Sequence, residues 1–185
     1  MLTKLESFFQ RIATVRNILL LLVVEILINA VLLPWAAGRL AAGSGGNGPL
    51  DLKFFYTPQQ AYDLLGSFDA PTRSFYAAFE LSGDIFYPIV SFLLFGALLT
   101  FLFQRGSPGN ALLKRLAVSA PLVQIVGDFG ENLGIVIMLL RYPSQLNAIA
   151  LVGSLFTLLK WAGAAASVVL LLAGLVGLVV RRRKA

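Results

Sequence analysis

The stretch GDFGENLG, residues 127–134, puts Asp128, Glu131 and Asn132 inside a segment, 115–140, that is otherwise apolar enough to cross a bilayer. Reading it decides the fold. With Gln124, these polar residues are spaced by four, three and one, so at 100° per residue they form one narrow stripe on a helix. Gly127, Gly130 and Gly134 fall on an adjoining face, where missing side chains let a second helix come close. An acid at the centre of a lone spanning helix costs on the order of 2.5–3.5 kcal/mol on the insertion scale, so this stripe must face other helices and not lipid.

The rest of the chain supplies those helices. It has 185 residues, 58% of them hydrophobic, and a mean hydropathy of +0.82, too apolar for a soluble domain and about the length of a small bundle of spans. A hydrocarbon core of roughly 30 Å needs about 20 apolar residues as helix, and four stretches qualify: 17–37, 73–104, 115–140 and 148–180. The expected fold is an all-α membrane protein, a four-transmembrane-helix bundle forming a single membrane domain over 1–185. The first stretch carries Glu25 and Asn29 and is slightly long for a signal-peptide core, so it is read as a retained helix.

Lysines and arginines number 15 against 9 acids, a net charge of +6, and their placement matters more than their sum. Lys4, Arg11 and Arg16 precede the first span, Arg105, Lys114 and Arg115 lie between the second and third, and Arg181 to Lys184 end the chain. The positive-inside bias then puts both termini and the middle loop in the cytoplasm, with 38–72 and 141–147 outside. Basic ends suit anionic lipid heads, so the expected partner is the lipid bilayer and no nucleic acid. Residues 1–16 repeat Leu2, Leu5, Phe8, Phe9 and Ile12 at helical spacing, as an interfacial helix would.

In the outer loop, GSGGNGP (43–49) is a flexible tether and LDLKFFY (50–56) reads as extended or irregular. TPQQAYDLLGSF (57–68) then offers Thr57 as N-cap, Pro58 at the first helical position and Gln60 to complete a capping box. Ala61, Leu64, Leu65 and Phe68 give this short helix an apolar face, suited either to a lid over the bundle or to a surface anchor.

Every span contributes polar groups. The second has Glu80 and Asp84 one turn apart, followed by Tyr87 and by Pro88, whose missing N–H would free the Asp84 carbonyl. The first has Glu25 and Asn29, and the fourth has Lys160 beside Trp161. Counted from the ends of the spans, these groups fall in broadly one layer, in which five acids and one lysine leave a formal −4. Shared protons, water, a metal cation or an amine could balance this remainder, and nothing in the sequence specifies a metal.

No residue is Cys or His, which removes disulfides, thiolate chemistry and the usual zinc, copper and haem ligands, and no cofactor is expected. Asp84 and Glu131 are the pair that could act as acid and base, but no nucleophile, phosphate loop or metal motif accompanies them, and no catalytic residue is assigned. Three readings of the layer compete: interhelical glue, a pocket for a small lipophilic or cationic ligand, and a path for protons or cations. The pocket is the leading functional reading. A structural alternative is an accessory subunit whose glycine and aromatic faces pack against other membrane subunits.

The motifs YTPQQAY (56–62), RSFY (73–76), DIFYP (84–88) and DFGEN (128–132), in this order, resemble a group of small, functionally uncharacterised four-span membrane proteins, mostly bacterial. No activity is attached to that group. The resemblance implies that Tyr56, Arg73, Tyr76, Asp84, Asp128, Glu131 and Asn132 work together, that Arg73 docks the outer loop onto the acids, and that the membrane is a bacterial inner membrane. FELSGDIFYP (79–88) is loosely similar to the four-span sterol isomerase and sigma-2 receptor group, whose intramembrane acids accept cationic amphiphiles. The histidine used by the isomerases is absent, so that likeness implies ligand binding and not isomerisation.

Overall fold

The computed structural model describes residues 2–107 and 109–184, and among these all regular structure is helical. Helix α1 (Leu2–Ile12) is followed by α2 (Val15–Leu27), a π-helical turn (Ile28–Leu32) and α3 (Leu33–Ala42). A 3₁₀ turn (Leu50–Leu52) leads to α4 (Pro58–Ser67) and α5 (Ala70–Glu80), and then come α6 (Phe86–Gly106), α7 (Ala111–Arg141) and α8 (Asn147–Lys184). Four helical segments are long and apolar enough to cross a membrane: Val15–Ala42, Phe86–Gly106, Ala111–Arg141 and Asn147–Arg181. The protein is an all-α, four-span membrane protein.

Two spans differ from the sequence expectation for backbone reasons. The first runs unbroken past Pro34 because the helix widens before it: the Leu33 N–H reaches back to the Ile28 carbonyl, a π-type bond that absorbs the missing proline donor. The second does not start at residue 73. The chain turns over Leu81–Ile85, where Gly83 and the approach to Pro88 disfavour helix, so α5 is separate and the crossing helix begins at Phe86. The Asp84 carbonyl is not left free, since the Tyr87 N–H donates to it at 3.1 Å, three residues on.

Packing is strongest between α7 and α8, with α6 against both, while the first span lies on α6 and α5. Its outer surface, including Leu19, Leu20, Val23 and Ile26, is exposed apolar side chain, as a lipid-facing helix requires. At one end, α1 is docked onto the bundle and does not merely lie beside it. Phe9 is fully buried against Ala97 and Val118, in a space that exists because residue 96 is glycine. At the other end, α4 is a cap. Ala61, Tyr62 and Leu65 pack with Phe68 and Tyr76 onto Ile135, Met138 and Leu139 of α7 and Ala150 of α8.

Thr57 starts α4 as a capping box: its hydroxyl accepts the Gln60 N–H at 3.2 Å while the Gln60 carboxamide oxygen accepts the Thr57 N–H at 2.9 Å. Thr57→Ala is expected to lower stability by about 1 kcal/mol, seen first as faster amide exchange over residues 59–62. At the next helix start, the exposed Asp69 carboxyl accepts from Thr72, which holds it below the usual carboxylate range.

Candidate functional site

The site is built on the contact between α7 and α8. At Gly127 a side chain would run into the backbone of Lys160, and at Gly134 it would meet Gly153. Because the two backbones lie this close, α8 side chains one turn apart reach the polar stripe of α7. Lys160 Nζ sits 2.5 Å from Glu131 Oε2, and the Thr157 hydroxyl donates to Glu131 Oε1 at 2.6 Å. Glu131 is 0% exposed, so both carboxylate oxygens are served without water. The glycines are consumed by packing inside the chain, and the subunit reading draws no support from them.

The rest of the stripe turns toward α6 and the Leu81–Ile85 turn before it. Asn132 donates to Asp84 at 2.7 Å, and Gln124 donates to the Ser91 hydroxyl at 3.2 Å. Asp84, Asp128, Glu131, Asn132 and Gln124 are all buried.

A strap from the loop closes over them. The Asp51 carbonyl accepts a second hydrogen bond from Lys160 Nζ at 2.9 Å, and the Asp51 carboxylate accepts from the Tyr76 hydroxyl at 2.9 Å, which itself accepts the Leu50 N–H at 2.8 Å. Trp161 Nε1 donates to the Lys53 carbonyl at 3.1 Å, and the Phe54 and Trp161 rings lie 4.7 Å apart. Tyr56 ends the strap, its N–H donating to Ser154 at 2.9 Å and its buried hydroxyl lying over Gly153. The segment that covers the acids is therefore 50–56, while α4 caps the apolar end of the bundle.

Two neighbouring cavities lie under the strap. The larger, about 150 Å³, sits between Asn29 and Leu33 of the first span and Lys160, Trp161 and Ala164 of α8, with Asp84 and Asp128 in its wall. Gln124, Tyr87 and Asp51 complete its polar lining. The smaller, about 50 Å³, is bordered by Tyr76, Phe79, Glu80, Leu40 and Asp84, and shares Leu33, Asp51, Leu52 and Asp84 with the first. Glu80 lies in α5, outside the crossing helices. Burial first, and then the carboxylates of Asp51 and Asp84, push its carboxyl well above the usual range.

Not every expected residue joins. Arg73 does not touch the acids: it donates to the carbonyls of Phe68 and Leu65 and stacks over the Tyr142 ring at 4.2 Å, so it fastens the α4–α5 connection instead. Asn29 is exposed at the rim and bonds its own helix, donating to the Glu25 carbonyl at 2.9 Å. Glu25 is half-buried beside Ser91, at the edge of the layer. Among the described residues, no three Asp or Glu side chains are placed to hold a metal ion together.

Four participants were missed by the sequence reading: Asp51, Ser91, Ser154 and Thr157. On α8 a signal was present, since Ser154, Thr157, Lys160, Gly163 and Ser167 recur every three or four residues and all are buried. Asp51 had none, because it lies in a three-residue turn after a glycine tether, and turns of that kind carry no periodicity. Compared with family models, with curated proteins and with solved structures, the chain gives no match.

Proposed function

We propose that the protein binds a small lipophilic, cationic molecule in the cavity beneath the strap, without transforming it. The observation that carries this reading is Asp128. It is 2% exposed, lines the larger cavity, and its Oδ2 has no protein partner. A buried carboxylate without a partner is costly, and a cation in hydrogen-bond reach offsets that cost. The one buried lysine of the layer is already engaged by Glu131 and the Asp51 carbonyl. Exposed Leu52 and half-buried Leu33 and Trp161 border the cavity, giving an apolar tail somewhere to go.

In this reading the termini and the Arg105–Arg115 turn are cytoplasmic, as in a bacterial inner membrane, and the strap and α4 face outward, so the ligand enters from the outer leaflet or the outer aqueous side. The motif set Y-T-P, R-x-x-Y, D-x-x-[FY]-P and D-x-x-E-N then marks the strap, its fastening and the cavity wall of one family.

The test is thermal unfolding of the purified protein against a panel of lipophilic amines. Ligand at a hundred times its Kd should add about 2.7 kcal/mol of stability. Asp128→Asn, which keeps the shape of the side chain, should unfold normally on its own and lose that increment. A panel that shifts neither protein would remove the proposal.

A further inference from the structure

The polar groups of the two cavities are unequally used. Each side-chain nitrogen that could donate already has a partner within the protein: Lys160 has Glu131 and the Asp51 carbonyl, Trp161 the Lys53 carbonyl, Asn29 the Glu25 carbonyl, and Gln124 Ser91. The buried cavity atoms left without a partner are acceptors. Asp128 Oδ2 and Gln124 Oε1 are buried without partners in the wall of the larger cavity, and Glu80 Oε2 is buried without a partner in the wall of the smaller one. Asp128 and Glu80 are each 2% exposed and Gln124 3%, so bulk water does not serve them.

Resting on the ligand-binding reading above, we infer that the site selects cations carrying N–H donors, a primary ammonium over a quaternary one. A primary ammonium brings three donors in a compact head and can satisfy Asp128 and Gln124 together. A trimethylammonium head carries the same charge but no donor, so it would leave both acceptors unpaired while placing three methyl groups against the Asp128 carboxyl and the Gln124 carboxamide. Quaternary heads are recognised by cages of aromatic faces, and this cavity has Tyr87 and Trp161 as its aromatic residues, beside carboxyl and carboxamide groups, the Lys160 ammonium and small apolar stretches. Its volume of about 150 Å³ accommodates an ammonium with a short apolar body, since engineered cavities of about that size hold benzene.

The probes are 2-phenylethylamine and its N,N,N-trimethyl derivative, titrated into the full chain in lipid nanodiscs and followed by thermal unfolding and by calorimetry. The amine should bind about tenfold or more tightly than the trimethyl compound, and Gln124→Leu should narrow that gap while Asp128→Asn weakens both. Equal affinity of the two probes would overturn donor selection and leave cation binding standing. Binding of neither probe would overturn the inference, whereas the broader reading falls only if the whole amine panel fails. Should Gln124→Leu disturb folding, Glu80→Gln provides the contrast: it retains an acceptor oxygen in the smaller cavity, and the preference for the amine should persist.

Discussion

Lys160→Met should cost about 3–5 kcal/mol of stability, and adding Glu131→Gln should recover most of it. The reason is the asymmetry of a buried pair. Glu131 is wholly enclosed, with Thr157 on one oxygen and Lys160 on the other. Removing the lysine leaves a carboxylate that must either stay charged without a counter-ion or take up a proton, and both choices cost. Removing both charges replaces the pair by an amide that can keep the Thr157 hydrogen bond and a thioether of similar length to the lysine stem. The same substitution takes the donor from the Asp51 carbonyl, so the strap should exchange its amide protons faster over 50–56 even in the double variant. That separates the two roles of Lys160. Unfolding of the four proteins of this cycle in mild detergent measures the coupling directly. A single Lys160→Met variant as stable as the parent would mean that Lys160 and Glu131 do not form an ion pair, and the electrostatic account of the layer would fail with it.

The sequence disclosed the fold through length and hydropathy, and the buried layer through a physical prohibition. Four apolar runs forced four spans, and acids that lipid does not tolerate forced an interior. The i, i+4 and i+7 spacing of Gln124, Asp128 and Glu131 was enough to place them on one face, and the glycines beside them correctly marked a close helix contact. Arguments by prohibition say where a group cannot be, and less about what it touches. The motif resemblance implied that Arg73 docks onto the acids, while the folded chain gives it the Phe68 carbonyl and the Tyr142 ring, neither of which has a charge to attract attention in a sequence. Asn29 was placed inside because it follows Glu25 by one turn, yet an asparagine that donates to its own helix is already satisfied and tolerates the rim. Asp51 was passed over because its contribution is partly a backbone carbonyl, and every residue type has one of those. The break at Leu81–Ile85 left a mark in the sequence that the reading of one long span passed over, since α5 is much less apolar than α6, Ser82, Gly83 and Asp84 interrupt the apolar run, and Pro88 follows.

Gly127→Ala and Gly38→Ala make the same chemical change in two helices and should have opposite outcomes. In the interior of a helix, alanine is favoured over glycine by up to about 1 kcal/mol, because glycine loses more backbone freedom on folding. At Gly38, in α3, a Cβ would meet nothing within 4 Å, so that preference is unopposed and Gly38→Ala should be neutral or slightly stabilising. At Gly127 the Cβ would overlap the backbone nitrogen and Cα of Lys160, and backbone cannot rotate aside as a side chain can. The helices must separate, and overpacking of this kind costs about 1–3 kcal/mol before any polar contact is counted. Here polar contacts follow, because the displaced backbone carries Lys160 and Thr157 away from Glu131. The expected net effect of Gly127→Ala is thus a loss of about 3 kcal/mol or more. Gly130→Ala falls between the two, since its Cβ would press on the ring of Phe156, a half-buried side chain with room to turn. The ordering of the three unfolding temperatures, Gly38→Ala highest and Gly127→Ala lowest, tests whether α8 reaches the acids by backbone proximity. If Gly127→Ala were as stable as Gly38→Ala, α7 and α8 would not be in the register that brings Lys160 to Glu131.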